Sequence, residues 1–149
     1  MASIGPNRFQ KSFRAAATVS AYRAVAPDTA LSDTFIRLVQ PPTETAHYLG
    51  IAQASATTDQ ACPVTSFGYA KGAAGASVSA GALLTAVTVT GYLIEAVALG
   101  NTGAPVTTTF STAGSIRVKE IGLALQNGSL TDASIEVFVN ISNLRLRIA

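Results

Sequence analysis

Apolar and polar residues alternate along most of this chain in short runs, separated by glycine, proline and small polar residues. Phe13, Ala15, Ala17, Val19 and Ala21 share one face of an extended segment reaching Val25, and a period of two is the signature of a half-buried strand. An alanine-rich helix competes over 13–25, but Thr18, Val19, Tyr22 and Val25 favour a pleated backbone. Further strands are predicted at 34–39, 47–52, 62–67, 83–90, 92–98, 106–110, 116–125, 135–141 and 144–148. Pro63 points to an edge or a bulge, because proline cannot donate to a ladder. The slip in alternation between Val118 and Ile121 points to a second bulge. The run 68–84, made largely of Gly, Ala and Ser, reads as a hairpin-like punctuation with strands arranged on either side. The fold predicted is all-β: a single-domain β-barrel or β-sandwich over residues 15–149 with an extended N-terminal arm, residues 1–14. Gly5, Pro6 and Asn7 break any period there, so irregular backbone is expected through Gln10.

One internal echo stands out. Gly50-Ile51-Ala52 leads through a polar loop containing Asp59 to Cys62-Pro63-Val64, and Gly122-Leu123-Ala124 leads through a polar loop containing Asp132 to Ile135-Glu136-Val137. A strand-loop-strand unit used twice in one barrel or sandwich explains the match, and so does chance, since it is too brief to prove duplication.

With 149 residues the chain suits one domain and needs no disulfide or metal staple. Only 12% of residues are charged, about half the usual share, which favours packing into an assembly over life as a dilute monomer. The net charge of +2 makes no general case for nucleic acid. Arg8, Lys11 and Arg14 precede the first acid, Asp28, giving either a basic leading arm or a solvated terminus. Phe9 and Phe13 interleave with them, but a pattern confined to this segment does not make a base-stacking surface, and no nucleic-acid partner is expected. The uncharged run between Lys71 and Glu95 holds four glycines and several hydroxyls, a poor membrane span. No apolar leader opens the chain, so no membrane partner is expected. The Asn-x-Ser triplets at Asn127 and Asn140 are read as coincidental.

Chemistry is sparse. The single cysteine, Cys62, excludes an intrachain disulfide and a cysteine-based zinc cage, and reads as a small buried hydrophobe. The single histidine, His47, reads as a packed or surface residue, and Glu95, Glu120 and Glu136 as polar faces of strands. Gly68-Tyr69-Ala70-Lys71-Gly72 lacks the glycine before lysine of a phosphate loop, and Gly72-Ala73-Ala74-Gly75 is no dinucleotide fingerprint. No catalytic residue, metal ligand or cofactor site is nominated, and the chain is not expected to be an enzyme.

The order GIAQASATTDQACPVTSFG, YAKGAAGASVSAGALLTAV, KEIGLALQNGSLTDASIEVFV resembles the capsid cement, or decoration, proteins of tailed bacteriophages, over roughly 15–139. Their pattern of apolar-Gly-apolar-Ala, small polar loop, strand, glycine, then Ala-Gly-Ala-x-Val-Ser-Ala-Gly-x-Leu-Leu is matched at 49–52, 53–59, 64–68 and 75–84. Asp59-Gln60 replaces the usual Gly-Asp, 100–115 is longer, and 140–149 is additional. The resemblance implies an all-β protein, often trimeric, on the outer surface of the virion capsid, bridging subunits of the major capsid protein. In that setting Arg8, Phe9, Lys11, Phe13 and Arg14 are the candidate capsid-binding arm, and Arg145 and Arg147 a further subunit or capsid contact. Two other readings remain: a head-fibre or carbohydrate- or receptor-binding β module, which calls for exposed aromatic platforms although the chain has no Trp and four Tyr, and a β-barrel hydrolase, which calls for a pocket.

Overall fold

The computed structural model describes residues 9–28, 38–40, 47–87, 89–96 and 115–147, with side chains for all of these except 38–40, 115–119 and 142–147. Every regular element among them is a strand: β1 (Phe9–Ala15), β2 (Ala24–Pro27), β3 (Leu38–Gln40), β4 (Gly50–Ala52), β5 (Ala61–Ala73), β6 (Leu83–Ala86), β7 (Leu93–Glu95), β8 (Ser115–Ala124) and β9 (Ser134–Arg147).

The strands close on themselves twice. β1 pairs with β3, β3 with β2, β2 with β4 and β4 with β5, and β5 returns to β1. β5 also pairs with β9, β9 with β8, β8 with β6 and β6 with β7, and Leu93 of β7 bridges back to Ala74 at the end of β5. Each ring therefore runs through its first, third, second, fourth and fifth strands. β5 is the last strand of one ring and the first of the other. The β1–β3 pair and the Ala74–Leu93 bridge are parallel and occupy equivalent places, and the other strand pairs are antiparallel. Of the two all-β alternatives this is the barrel-like one, in which closure leaves few edges.

The echo seen in the sequence extends across both rings. Ala15 N–H donates to Gln60 O and Ala74 N–H to Ala133 O; Val19 and Ala56 exchange two bonds, as Val78 and Gly128 do; Ala52 N–H donates to Arg23 O and Ala124 N–H to Ala82 O. The interiors correspond as well. Ala15 and Ala74, Val19 and Val78, Val25 and Leu84, Ala52 and Ala124, Cys62 and Ile135, Val64 and Val137 hold matching places in two buried clusters. Ala24, Tyr48 and Ile51 of the first half are buried in the second half's cluster and join the two. Tyr48 Oη reinforces that joint, accepting Ala86 N–H at 3.1 Å and lying 3.0 Å from Thr85 Oγ1.

Several expected boundaries shift, each for a local reason. The single strand expected at 13–25 is two: after β1 the chain turns through 16–23, where Val19 bridges to Ala56 and Tyr22 adopts a left-handed φ of 63°. β1 also begins at Phe9 instead of after Gln10, because its backbone finds partners along β5 from Phe67 to Ala61. The punctuation expected over 68–84 is confined to 74–82, and β5 runs through Gly68 and Gly72 to Ala73. Gly72 is needed there because a Cβ would meet Leu93 Cδ1. The bulge expected before Ile121 is present between Glu120 and Gly122, but Leu123 is not on the inner face with Ile121. Gly122 and Ala124 face Val139 and Val137, so Leu123 is turned outward. Ile135, Val137 and Val139 face inward as expected. The separate strand at 144–148 is the continuation of β9. Pro63 lies where β4 runs out: its carbonyl accepts Gln53 N–H just past the Ala52–Val64 pair, and having no N–H it cannot return the bond, so the pairing stops there. The strand expected at 106–110 lies outside the described residues.

Candidate interaction surface

β1 separates the arm candidates into different roles. Lys11 and Phe13 stand opposite Val64 and Cys62 on one face of the strand, Gln10 and Arg14 opposite Thr65 and Ala61 on the other, and a register shift between Phe9 and Gln10 brings Phe9 opposite Phe67, on the Thr65 side. Phe9 is exposed and stands opposite Phe67 on β5. Lys11 is exposed, and its ammonium lies 5.8 Å from the centroid of the Phe13 ring. Phe13 is half-buried and packs against the first half's core. Arg14 Nε lies 3.0 Å from Asp59 Oδ1 in an exposed ion pair, of the kind that contributes little to stability. Arg8 lies outside the described residues. Phe9 and Lys11 are thus presented outward, Phe13 is core, and Arg14 is held on the surface of its own ring.

Arg145 and Arg147 sit in the distal part of β9, with backbones paired to Arg117 and Ser115 of β8. β5 lies between β9 and β1, and the point of β9 level with Phe9 is Asn140, since both stand opposite Phe67. At ~3.3 Å per residue Arg145 and Arg147 lie ~17 and ~23 Å further along the strand. They and the arm do not form one cluster.

A surface feature that sequence reasoning missed lies on the outer face of β5, β9, β8 and β6. Tyr69, Phe138, Leu123 and Leu83 stand in direct register across these four strands. Phe67 and Phe9 extend the row. Phe9 is 62% exposed, Phe67 48%, Tyr69 51% and Leu83 48%, where a soluble sheet face ordinarily carries polar groups. Phe138 lies between Phe67 and Tyr69 with ring centroids 5.5 and 5.4 Å away, both edge-to-face. Lys71 and Glu136 face each other at one end of the row. The missed signal was the apolar residues at both parities of β5 and β8: with small Gly72, Gly122 and Ala124 inside, the large side chains go out.

Chemically active groups do not converge among the described residues. No three of His, Cys, Asp and Glu lie together as metal ligands would. His47 is exposed, and Glu95 Oε1 accepts the Ser79 N–H at 2.6 Å. Cys62 is fully buried, and burial pushes its thiol pKa up, away from the reactive thiolate. No helix of the described residues is long and apolar enough to cross a membrane.

Compared with known proteins, the chain is matched by no family model and by no curated protein sequence. Its fold is shared with the base of a viral head fibre. The solved structure concerned is the head fiber gp8.5 N base of bacteriophage phi29, which matches with a TM-score of 0.59 and 15% identity over 92% of this chain and 98% of that one. At that identity the likeness is one of fold.

Proposed function

We propose that this chain is a structural protein of a bacteriophage head, carried on the outer surface of the virion, and that it catalyses no reaction. The observation that carries the reading is the fold likeness to a head-fibre base along nearly the whole of both chains. Two finer roles follow from different observations. The likeness of fold favours the base of a head-attached fibre, and the resemblance in sequence favours a cement protein bridging subunits of the major capsid protein. Both need the same partner, the major capsid protein, and both suit a homo-oligomer, three-fold in the cement reading. Neither involves nucleic acid, a membrane or a cofactor.

Attachment through the arm is assigned to Arg8 and Lys11, because Phe13 and Arg14 are engaged within the fold and Phe9 stands opposite Phe67 in the apolar row. Co-sedimentation with empty phage heads tests the reading: the full chain pellets saturably with heads, and a chain lacking residues 1–8 and carrying Lys11→Ala, which keeps β1, does not. Full-length protein that stays in the supernatant overturns it. The finer roles separate on heat. Saturating protein raises the temperature at which heads break open if it is a cement, and leaves it unchanged if it is a fibre base.

A further inference from the structure

The exposed row on the second half has a counterpart in the first. Gln10, Thr65, Ile51 and Ala24 stand in the same register across β1, β5, β4 and β2 as Tyr69, Phe138, Leu123 and Leu83 do across β5, β9, β8 and β6. In the first half this face is covered at all but the exposed Gln10. Thr65 and Ile51 are 0% exposed and Ala24 1%. Ala24 and Ile51 are packed into the other half's core, and Ala24 N–H donates to Gly91 O. The architecture thus uses this face of one half to receive another half. In the second half three of the four equivalent positions are larger and more apolar, Phe138 standing for Thr65, Leu83 for Ala24 and Tyr69 for Gln10, and Leu123 stands for the isomeric Ile51. Yet Tyr69 and Leu83 remain about half exposed.

We infer that this second-half face is the surface through which one copy of the chain packs against another. Its six side chains offer on the order of 500 Å² of apolar surface, the size of the largest patch a monomer carries, which is often functional, and over half of one side of a standard interface, about 800 Å². Edge-to-face contacts already hold Phe138 between Phe67 and Tyr69, so little side-chain entropy is lost when a partner covers the row. The rim suits a second copy too. Lys71 and Glu136 are exposed cross-strand neighbours that form no ion pair with each other, giving the patch one charge of each sign that a copy bearing the same pair can complement.

The test is sedimentation velocity of the purified full chain between 1 and 100 µM (chosen to span ordinary association constants), beside Phe67→Ser/Tyr69→Ser. Both substituted side chains are about half exposed, so circular dichroism and melting temperature should stay near those of the parent. The expected result is a reversible oligomer for the parent and at least a tenfold weaker association for the variant, with Tyr69→Phe behaving as the parent. A parent that stays monomeric, or a variant that assembles as the parent does, overturns the inference. Needing no phage heads, the measurement is independent of the proposed function. A variant that assembles normally but no longer pellets with heads assigns the face to the shell and overturns the inference while leaving the head reading standing; association through the face without head binding does the reverse.

Discussion

Arg23 joins three loops that are far apart in sequence. Its Nη2 lies 2.9 Å from Asp132 Oδ1 and its Nη1 donates to Thr90 O at 3.1 Å. The guanidinium lies 3.1 Å from the centroid of the Tyr92 ring, and the Tyr92 hydroxyl donates to the same Asp132 oxygen at 2.5 Å. Arg23 Nε is buried with no partner, so part of this gain is offset by desolvation. Arg23→Ala should lower stability by about 2 kcal/mol in urea unfolding, and Arg23→Lys should recover little, since an ammonium cannot stack and bridge at once. The hydrogen bond to Asp132 is the main reason that the Tyr92 pKa is raised, with burial adding to it. A group whose pKa is raised by folding contributes stability that is complete below its unfolded value, about 10 for tyrosine, and is lost as pH rises through the folded value. Melting temperature should therefore fall more steeply above pH 10 for the parent than for Tyr92→Phe. Val89 offers a gain instead: a β-branched residue at φ 70°, 76% exposed, should relax on Val89→Asn and add about 1 kcal/mol, read as a rise in melting temperature. None of this was legible beforehand, because spacing does not reveal which loops meet.

Strands were legible where one face alone is apolar and obscure where both are. Ile135, Val137 and Val139 alternate with Glu136, Phe138 and Asn140, Phe138 being the one apolar residue on the outer face, and β9 was placed correctly over that part. In β8 Ile121 is buried but Leu123 points outward, because past the bulge the backbone of β9 comes too close for anything but Gly122 within. A Cβ on Gly122 would run into Phe138 O, and one on Gly50, its counterpart, into Thr65 O. These obstacles are backbone and cannot swing aside, so Gly122→Ala and Gly50→Ala should each cost about 3 kcal/mol or more, measured by chemical denaturation. Glycines lacking such neighbours provide the control: nothing stands within 4 Å of a Cβ on Gly81, whose positive φ is the obstacle there, and Gly81→Asn should be tolerated far better than Gly81→Val.

At the scale of the molecule, the fold is one unit written twice around a shared strand. The sequence displayed only the parts of that repetition in which a backbone demand fixes the residue: Gly50 and Gly122 at the close approaches, Asp59 and Asp132 at left-handed turns of φ 69° and 67°. Interior positions interchange freely among apolar side chains, and Cys62 matching Ile135, or Phe13 matching Gly72, hid the rest. Repetition raises the question of whether the halves unfold separately. β5 belongs to both rings, and Ile51 of the first half lies at 0% exposure inside the second half's core, so opening either half uncovers apolar surface in the other. A single cooperative transition is expected. Cys62, fully buried in the first half with its thiol pKa pushed up, reports on that half alone, while circular dichroism reports on both. Thiol labelling and loss of ellipticity should follow the same urea curve, and Ile51→Ala should move both together by about 2–5 kcal/mol. Labelling of Cys62 at a urea concentration where ellipticity is intact would mean that the first ring opens alone, and that the shared strand and the buried Ile51 do not couple the halves.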